Sequence, residues 1–220
     1  MACRTLEMFQ AYGFADQVIQ EAYGVNEVAF WKPDPDDPSR IARNSKIDDV
    51  ADDLSEMPHV IINQARIHDH FLSVMKNSAT KTEPYYSRKL IDVTINHSDP
   101  VYPVTVTFER AITHSQFNRE VETINCKYAV GCDGARSQVR KSIGHKLVGD
   151  ALNQAWGVMD ILAVTDFPDI RLKAAIQSIN EGNLLIIPRE GGYMVRMYIE
   201  LDKLKQDERV DRENMNVDVL

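Results

Sequence analysis

The stretch that most constrains this chain is Tyr128-Ala129-Val130-Gly131-Cys132-Asp133-Gly134-Ala135-Arg136-Ser137. Tyr128-Ala129-Val130 reads as an apolar strand end, and Asp133-Gly134 as a tight turn. Ser137 reads as the cap of a helix that opens with Gln138 and Val139. A strand that runs through a glycine turn into a helix presents backbone N–H groups without intrahelical partners, at the positive end of the helix dipole. That geometry suits a pyrophosphate or a ribose, and Arg136 adds a cation at the same point. An ordinary strand–turn–helix connection has the same local pattern, so the turn by itself leaves both readings open.

The rest of the chain supplies the setting. Two short helices are expected first, Cys3 to Gly13 and Ala15 to Tyr23, stopped by Gly13 and Gly24. Strands follow at Asn26 to Trp31 and Arg40 to Ile47, separated by a surface loop that holds three prolines and three aspartates. Asp48 to Pro58 is acidic and irregular. A helix from Asn63 to about Asn77 carries Ala65, Phe71, Leu72 and Met75 as an apolar stripe. Strands are read at Lys89–Ile95, Tyr102–Glu109 and Ile124–Val130, with a polar hairpin tip between His114 and Glu120. A short basic helix runs from the Ser137 cap to Gly144. Beyond it the β-branched and aromatic runs Trp156–Val164, Lys173–Ser178, Asn183–Ile187 and Tyr193–Glu200 read as strands, with Gly191-Gly192 as a hairpin turn. Asp207 to Leu220 resembles a helix start. Two regions result: one to about Val148 with the look of a nucleotide-binding layer, and one of mostly antiparallel sheet with a face free to cover a ligand.

Composition narrows the function classes. Hydrophobic residues make up 44% and charged residues 26%, the balance of a folded domain. A net charge of -8 argues against a general nucleic-acid binder and supplies no polybasic segment for an anionic membrane. Cys3, Cys126 and Cys132 are odd in number and form no C-x-x-C pair, so a reducing, cytoplasmic location is expected. No apolar run reaches the roughly 18 residues of a membrane span. His68 and His70 lie two apart on a helix and diverge, so no metal site is expected.

With these features together, the chain resembles the flavin-dependent aromatic hydroxylases, in the branch of 3-hydroxybenzoate 4-monooxygenases and phenol 2-monooxygenases. The likeness rests on the turn Gly131 to Ser137, on Asn63-Gln64-Ala65-Arg66-Ile67-His68, on Gly149 to Pro168, and on Leu185-Ile186-Ile187-Pro188-Arg189-Glu190-Gly191-Gly192. It covers nearly the whole chain. The resemblance implies an α+β or α/β fold: a partial FAD-binding, Rossmann-like layer with inserted strands over residues 1–148, then part of a substrate-binding sheet over 149–220. It implies FAD as cofactor, NADPH or NADH as reductant, O2 and a small aromatic substrate as partners, and a parent enzyme that tends to dimerise.

Site residues follow by the same resemblance. Tyr198 matches the tyrosine that hydrogen-bonds the phenol hydroxyl, and period two puts it on the strand face of Arg196. His59 and Lys173 match positions that hold a substrate carboxylate, which favours a hydroxybenzoate over a simple phenol. Gln64, Asp133, Gly134 and Arg136 are carried over as cofactor-region residues. Arg189 and Arg196 are flavin-side or nicotinamide-side cations, with surface salt bridges as the other reading.

The departures from the family are large. No Gly-x-Gly-x-x-Gly fingerprint for a pyrophosphate is present. The family's catalytic aspartate falls before Met1, and its later Gly-Asp motif falls beyond Leu220. The expectation is an internal fragment of an enzyme that by itself binds FAD poorly. A catalytically dead binding module derived from the same family is the alternative.

Overall fold

The computed structural model describes residues 1–111, 119–149, 155–180 and 182–201 of the chain. It contains two compact units: Met1–Lys81 with the described residues of Leu152–Leu220, and the described residues of Thr82–Ala151. The first unit therefore takes strands from both sides of residue 148.

In the first unit, α1 (Cys3–Ala11) buries Leu6 and Phe9 and ends where the sequence places a stop. Gly13 adopts φ +82°, which a residue with a Cβ adopts only under strain. This lets Gly13 N–H reach Gln10 O at 3.0 Å and Phe14 N–H reach Phe9 O at 3.1 Å. The pairing is a Schellman cap, and its apolar contact is present too: the Phe9 and Phe14 rings lie 4.7 Å apart. The turn aims α2 (Ala15–Glu21) back across α1, burying Ala15 and Val18.

Here the structure corrects the sequence. The second helix stops at Glu21, and Tyr23–Val25 is a strand, β1, paired antiparallel with β4 (His59–Ile61). Gly24 is a strand residue rather than a helix stop. Pairing and the buried Val25 override local propensity. Helix α3 (Gln64–Asn77) starts at Asn63, whose side chain accepts from Ala65 N–H. Its packing stripe is Ile67, Phe71 and Val74 against the cluster of Leu6, Phe9, Phe14, Val18 and Val60. Ala65, expected in the stripe, is exposed. His70 stacks on Phe14 at 5.5 Å, a packing role.

The larger sheet has the order β3-β2-β9-β10-β11-β8, with β2 Glu27–Pro33, β3 Ile41–Asp48, β8 Trp156–Ile161, β9 Lys173–Gln177, β10 Asn183–Pro188 and β11 Val195–Glu200. Every pairing is antiparallel except β2 with β9. One face carries the small buried pair Ala29 and Ala174, with Ile186 and Val195, against Trp31, Phe167, Ile170 and Leu172. Because side chains alternate, Lys173, Ile187, Arg196 and Asp160 belong to the other face. Register aligns Ile187 with Arg196 and Arg196 with Asp160.

The second unit is a three-stranded antiparallel sheet, β5 (Arg88–Ile95), β6 (Val104–Ala111) and β7 (Arg119–Cys126), with the helix α4 (Gln138–Ser142). Ala111 pairs antiparallel with Arg119, and the hairpin tip expected between His114 and Glu120 lies largely outside the described residues. The strand read as Ile124–Val130 ends at Cys126. Tyr128 and Val130, each 86% exposed, belong to no ladder among the described residues. The helix start read at Asp207 also lies outside them.

Candidate functional site

The span Val25–Val28 joins three parts of the chain. Val25 pairs with His59, and Val28 pairs with Lys173. Between them, Asn26 O accepts the Asp49 N–H at 2.9 Å, just after β3 ends. Three residues far apart in sequence therefore meet. The Asp49 Oδ1 atom accepts from the Lys173 ammonium at 2.8 Å, and Oδ2 binds His59 Nδ1 in a short contact. The Asp49 side chain is 6% exposed. Burial pushes its carboxyl pKa up, but hydrogen bonds from Lys173 and His59 outweigh that and hold it below the ordinary value.

This cluster forms one wall of a cavity of about 600 Å3. His59, Lys173, Gln64, Arg189, Arg196 and Tyr198 all line it, so six of the sequence-derived site residues come together. Ile61, Ile62 and Ile187 supply apolar wall, and Asn63 supplies an amide at the start of α3. Strand alternation explains the set. Val60 enters the core while His59 and Ile61 face the cavity, and Tyr198 follows Arg196 at period two.

The Lys173, Arg189 and Arg196 side chains on this wall are each paired with a carboxylate. Arg196 forms a two-pronged bond with Asp160, Nε to Oδ1 and Nη2 to Oδ2, both 2.7 Å. Asp160, and next the Tyr198 side chain, hold the Arg196 guanidinium more firmly protonated than usual. The buried Arg189 donates to Glu190 Oε1 at 2.9 Å. Asp49, Asp160 and Glu190 did not emerge from the sequence. Asp49 sat in an acidic stretch read as irregular loop, and the one signal for it is the chemistry of its partners: a lysine and a histidine at a buried wall need an anion.

Asp133, Gly134 and Arg136 lie in the other unit. Gly134 takes φ +76° in the turn. The Asp133 carboxylate accepts from the Ser137 hydroxyl, from Gln138 N–H at 2.6 Å and from Val139 N–H at 3.1 Å. Ser137 Oγ accepts Arg140 N–H at 3.0 Å. The carboxyl is drawn down to about 2, first by the Ser137 hydroxyl and then by the backbone donors. The first-turn N–H groups are thus occupied from within: Ser137 is the N-cap, as the sequence implies, and Asp133 accepts the Gln138 and Val139 N–H groups that the sequence reading offered to a phosphate. Arg136 is exposed, and Arg140 braces the turn through Ala135 O at 3.0 Å and Gly134 O at 3.2 Å. Gly131 is needed for close approach, since a Cβ there would stand 2.7 Å from Val139 Cβ.

The cavity lies between the start of α3 and one face of the larger sheet, lined by cationic, amide and phenol side chains beside three isoleucines. The chain belongs to the FAD binding domain family, whose sequence pattern matches residues 1–219. It is 58% identical over its whole length to a 3-hydroxybenzoate 4-monooxygenase of Comamonas testosteroni and spans 34% of that protein. It is 30% identical to the phenol 2-monooxygenase fsqG of Aspergillus fumigatus, over 98% of this chain and 34% of that one. Among solved structures, a p-nitrophenol 4-monooxygenase from Pseudomonas putida superposes with a TM-score of 0.73 at 14% identity, over 96% of this chain and 48% of that one. That likeness shows the fold alone. The chain spans about a third of the length of the relatives it matches in sequence.

The residues present fit part of an FAD. Gln64, Arg189 and Arg196 supply hydrogen-bonding groups suited to the polar edge of a flavin ring. The Asp133 turn does not fit its phosphates, because the N–H groups that would bind them are already used.

Proposed function

We propose that this chain forms the substrate wall of an FAD-dependent monooxygenase that hydroxylates a phenolic ring, with 3-hydroxybenzoate as substrate and 3,4-dihydroxybenzoate as product. The observation that carries the reading is the meeting of Lys173, His59 and Tyr198 in one cavity. It is supported by the 58% identity to a 3-hydroxybenzoate 4-monooxygenase. Bound FAD, reduced by NADPH or NADH, would supply the electrophilic oxygen from O2. The residues of this chain do the positioning. Tyr198 hydrogen-bonds the phenol hydroxyl and favours the electron-rich, deprotonated ring. Lys173 and His59 anchor the carboxylate at the opposite end. Ile61, Ile62 and Ile187 exclude water from the ring. Gln64, Arg189 and Arg196 lie on the cofactor side. The complete protein acts in the cytoplasm as a homodimer.

A phenol 2-monooxygenase activity is the second reading, favoured by one observation: Lys173 and His59 already hold a carboxylate, that of Asp49. The two separate by turnover in the complete protein. Cofactor oxidation coupled to 3,4-dihydroxybenzoate from 3-hydroxybenzoate supports the first, while catechol from phenol with no acid product supports the second. Binding of both aromatics without turnover would leave a catalytically dead binding module.

A further inference from the structure

We propose that Asp49 is a positioning residue of the cavity, whose carboxylate fixes the Lys173 ammonium and keeps a proton on His59 Nδ1. This deepens the aromatic-acid reading and rests on it for the ligand class, but the proton placement can be tested without any ligand.

The argument begins with donors and acceptors. An ionised carboxylate only accepts hydrogen bonds. Asp49 is held in that form by the donors around it. The His59 nitrogen bonded to it is Nδ1, so that atom carries a hydrogen whether the ring is neutral or charged. The remaining nitrogen, Nε2, is then the one free of Asp49. In the neutral ring Nε2 accepts a hydrogen bond, and it donates only after taking up a proton. Free histidine in water prefers the opposite tautomer, with the hydrogen on Nε2. Lys173 is constrained by the same group through the other carboxylate oxygen, at 2.8 Å. Asp49 cannot easily swing away, because its backbone N–H is tied to Asn26 O and its side chain is 6% exposed. One carboxylate therefore decides what two cavity residues offer a ligand: an ammonium in a fixed place, and a ring nitrogen whose role depends on one proton.

Asp49→Asn separates positioning from bulk, since the two side chains have the same shape. The Lys173 ammonium needs an acceptor, so the carboxamide oxygen turns to it and the amide NH2 faces His59 Nδ1. That nitrogen must then accept, and the ring hydrogen moves to Nε2.

The experiment is long-range 1H–15N correlation spectroscopy of the histidine rings in the uniformly 15N-labelled chain, with His59→Gln to assign the signal. The expected result is a hydrogen on Nδ1 in the unsubstituted protein, its transfer to Nε2 in Asp49→Asn, and its return to Nδ1 in Asp49→Glu. A neutral ring protonated on Nε2 in the unsubstituted protein overturns the proposal, even if the variants fail to fold. An unchanged tautomer in a folded Asp49→Asn overturns it as well. Titration with 3-hydroxybenzoate forms a separate arm. A tautomer switch with no response of the His59 signal to the acid upholds the role of Asp49 and counts against the aromatic-acid reading alone.

Discussion

The Asp169 carboxylate fastens the segment that leads into Lys173, and its removal gives a measurable, asymmetric result. Asp169 is 4% exposed. It accepts from Arg43 Nε at 2.8 Å, from Arg43 Nη2 at 2.6 Å and from Trp31 Nε1 at 2.8 Å. Arg43 also lies over the Trp31 ring, 5.4 Å from its centroid. Hydrogen bonds to a charged group each stabilise by about 1.5–3 kcal/mol, and a buried N–H left without an acceptor costs about 1–3 kcal/mol. The Arg43 side chain is 42% exposed, so once released it recovers much of its loss from water. Returning Asp169 to solvent in the unfolded state offsets more. Asp169→Ala should therefore cost about 2–4 kcal/mol. Arg43→Met removes the more exposed partner, yet it strands a buried carboxylate on a single Trp31 bond, so its cost should be about 3–5 kcal/mol. The double variant should lose less than the sum of the two by at least about 1.5 kcal/mol. Urea unfolding followed by Trp31 fluorescence, in a Trp156→Phe background, measures all three. A coupling below about 0.5 kcal/mol, or Arg43→Met proving the cheaper substitution, would refute this account of the network.

Four further outcomes are expected. Gly131→Ala should cost about 1–3 kcal/mol, because its new methyl meets Val139, and Val139→Ala should recover most of that in thermal unfolding. The carboxyl of Asp133 is lowered in the fold, so the cap is fully present above the ordinary aspartate pKa near 3.8 and is lost as pH falls through about 2. Amide shifts of Gln138 and Val139 should follow that titration, and Asp133→Asn should abolish it. In the complete enzyme, Lys173→Met should weaken 3-hydroxybenzoate binding by roughly 10- to 150-fold, the equivalent of one charge-assisted bond, with little change for phenol. Equal losses for both ligands in calorimetry would remove Lys173 from the carboxylate site. Gly13→Ala should destabilise by about 1 kcal/mol or more in urea unfolding, since the αL cap forbids a Cβ there without strain.

What could be read in the sequence was what local chemistry decides. The strands from Trp156 to Glu200 announce themselves by β-branched alternation, and Gly13 and Gly144 each mark a helix end that the structure keeps. The face shared by Arg196 and Tyr198 follows from period two. Three-residue strands escape such reasoning. Tyr23–Val25 and His59–Ile61 are too short for a period and exist because they pair with each other. Asp49 was hidden for a related reason: its partners stand 124 and 10 residues away, and nothing in Asp48-Asp49-Val50 marks one aspartate as buried and the other as exposed. The Asp133 turn shows the opposite error. The turn and its Ser137 cap are present, but the strand read into it stops at Cys126, and the pattern does not say whether the helix N–H groups await a ligand or already hold a carboxylate.

The pairing of the wall bears on how such a cavity would choose its ligand. Lys173, Arg189 and Arg196 are cations, and each faces a carboxylate of the same chain: Asp49, Glu190 and Asp160. Side-chain cations so compensated add little net field with which to draw an anion from a distance, and a chain of net charge -8 adds none. The wall offers directed N–H groups at fixed positions instead. On the proposed reading a ligand carboxylate would share the Lys173 ammonium with Asp49, which would reward correct placement of the ring more than charge. An aromatic acid with its hydroxyl one position out of register would keep its full charge and still lose either the Lys173 bond or the Tyr198 bond. Discrimination among hydroxybenzoate isomers should accordingly exceed discrimination by salt: raising ionic strength should change the affinity of the preferred isomer less than moving its hydroxyl does.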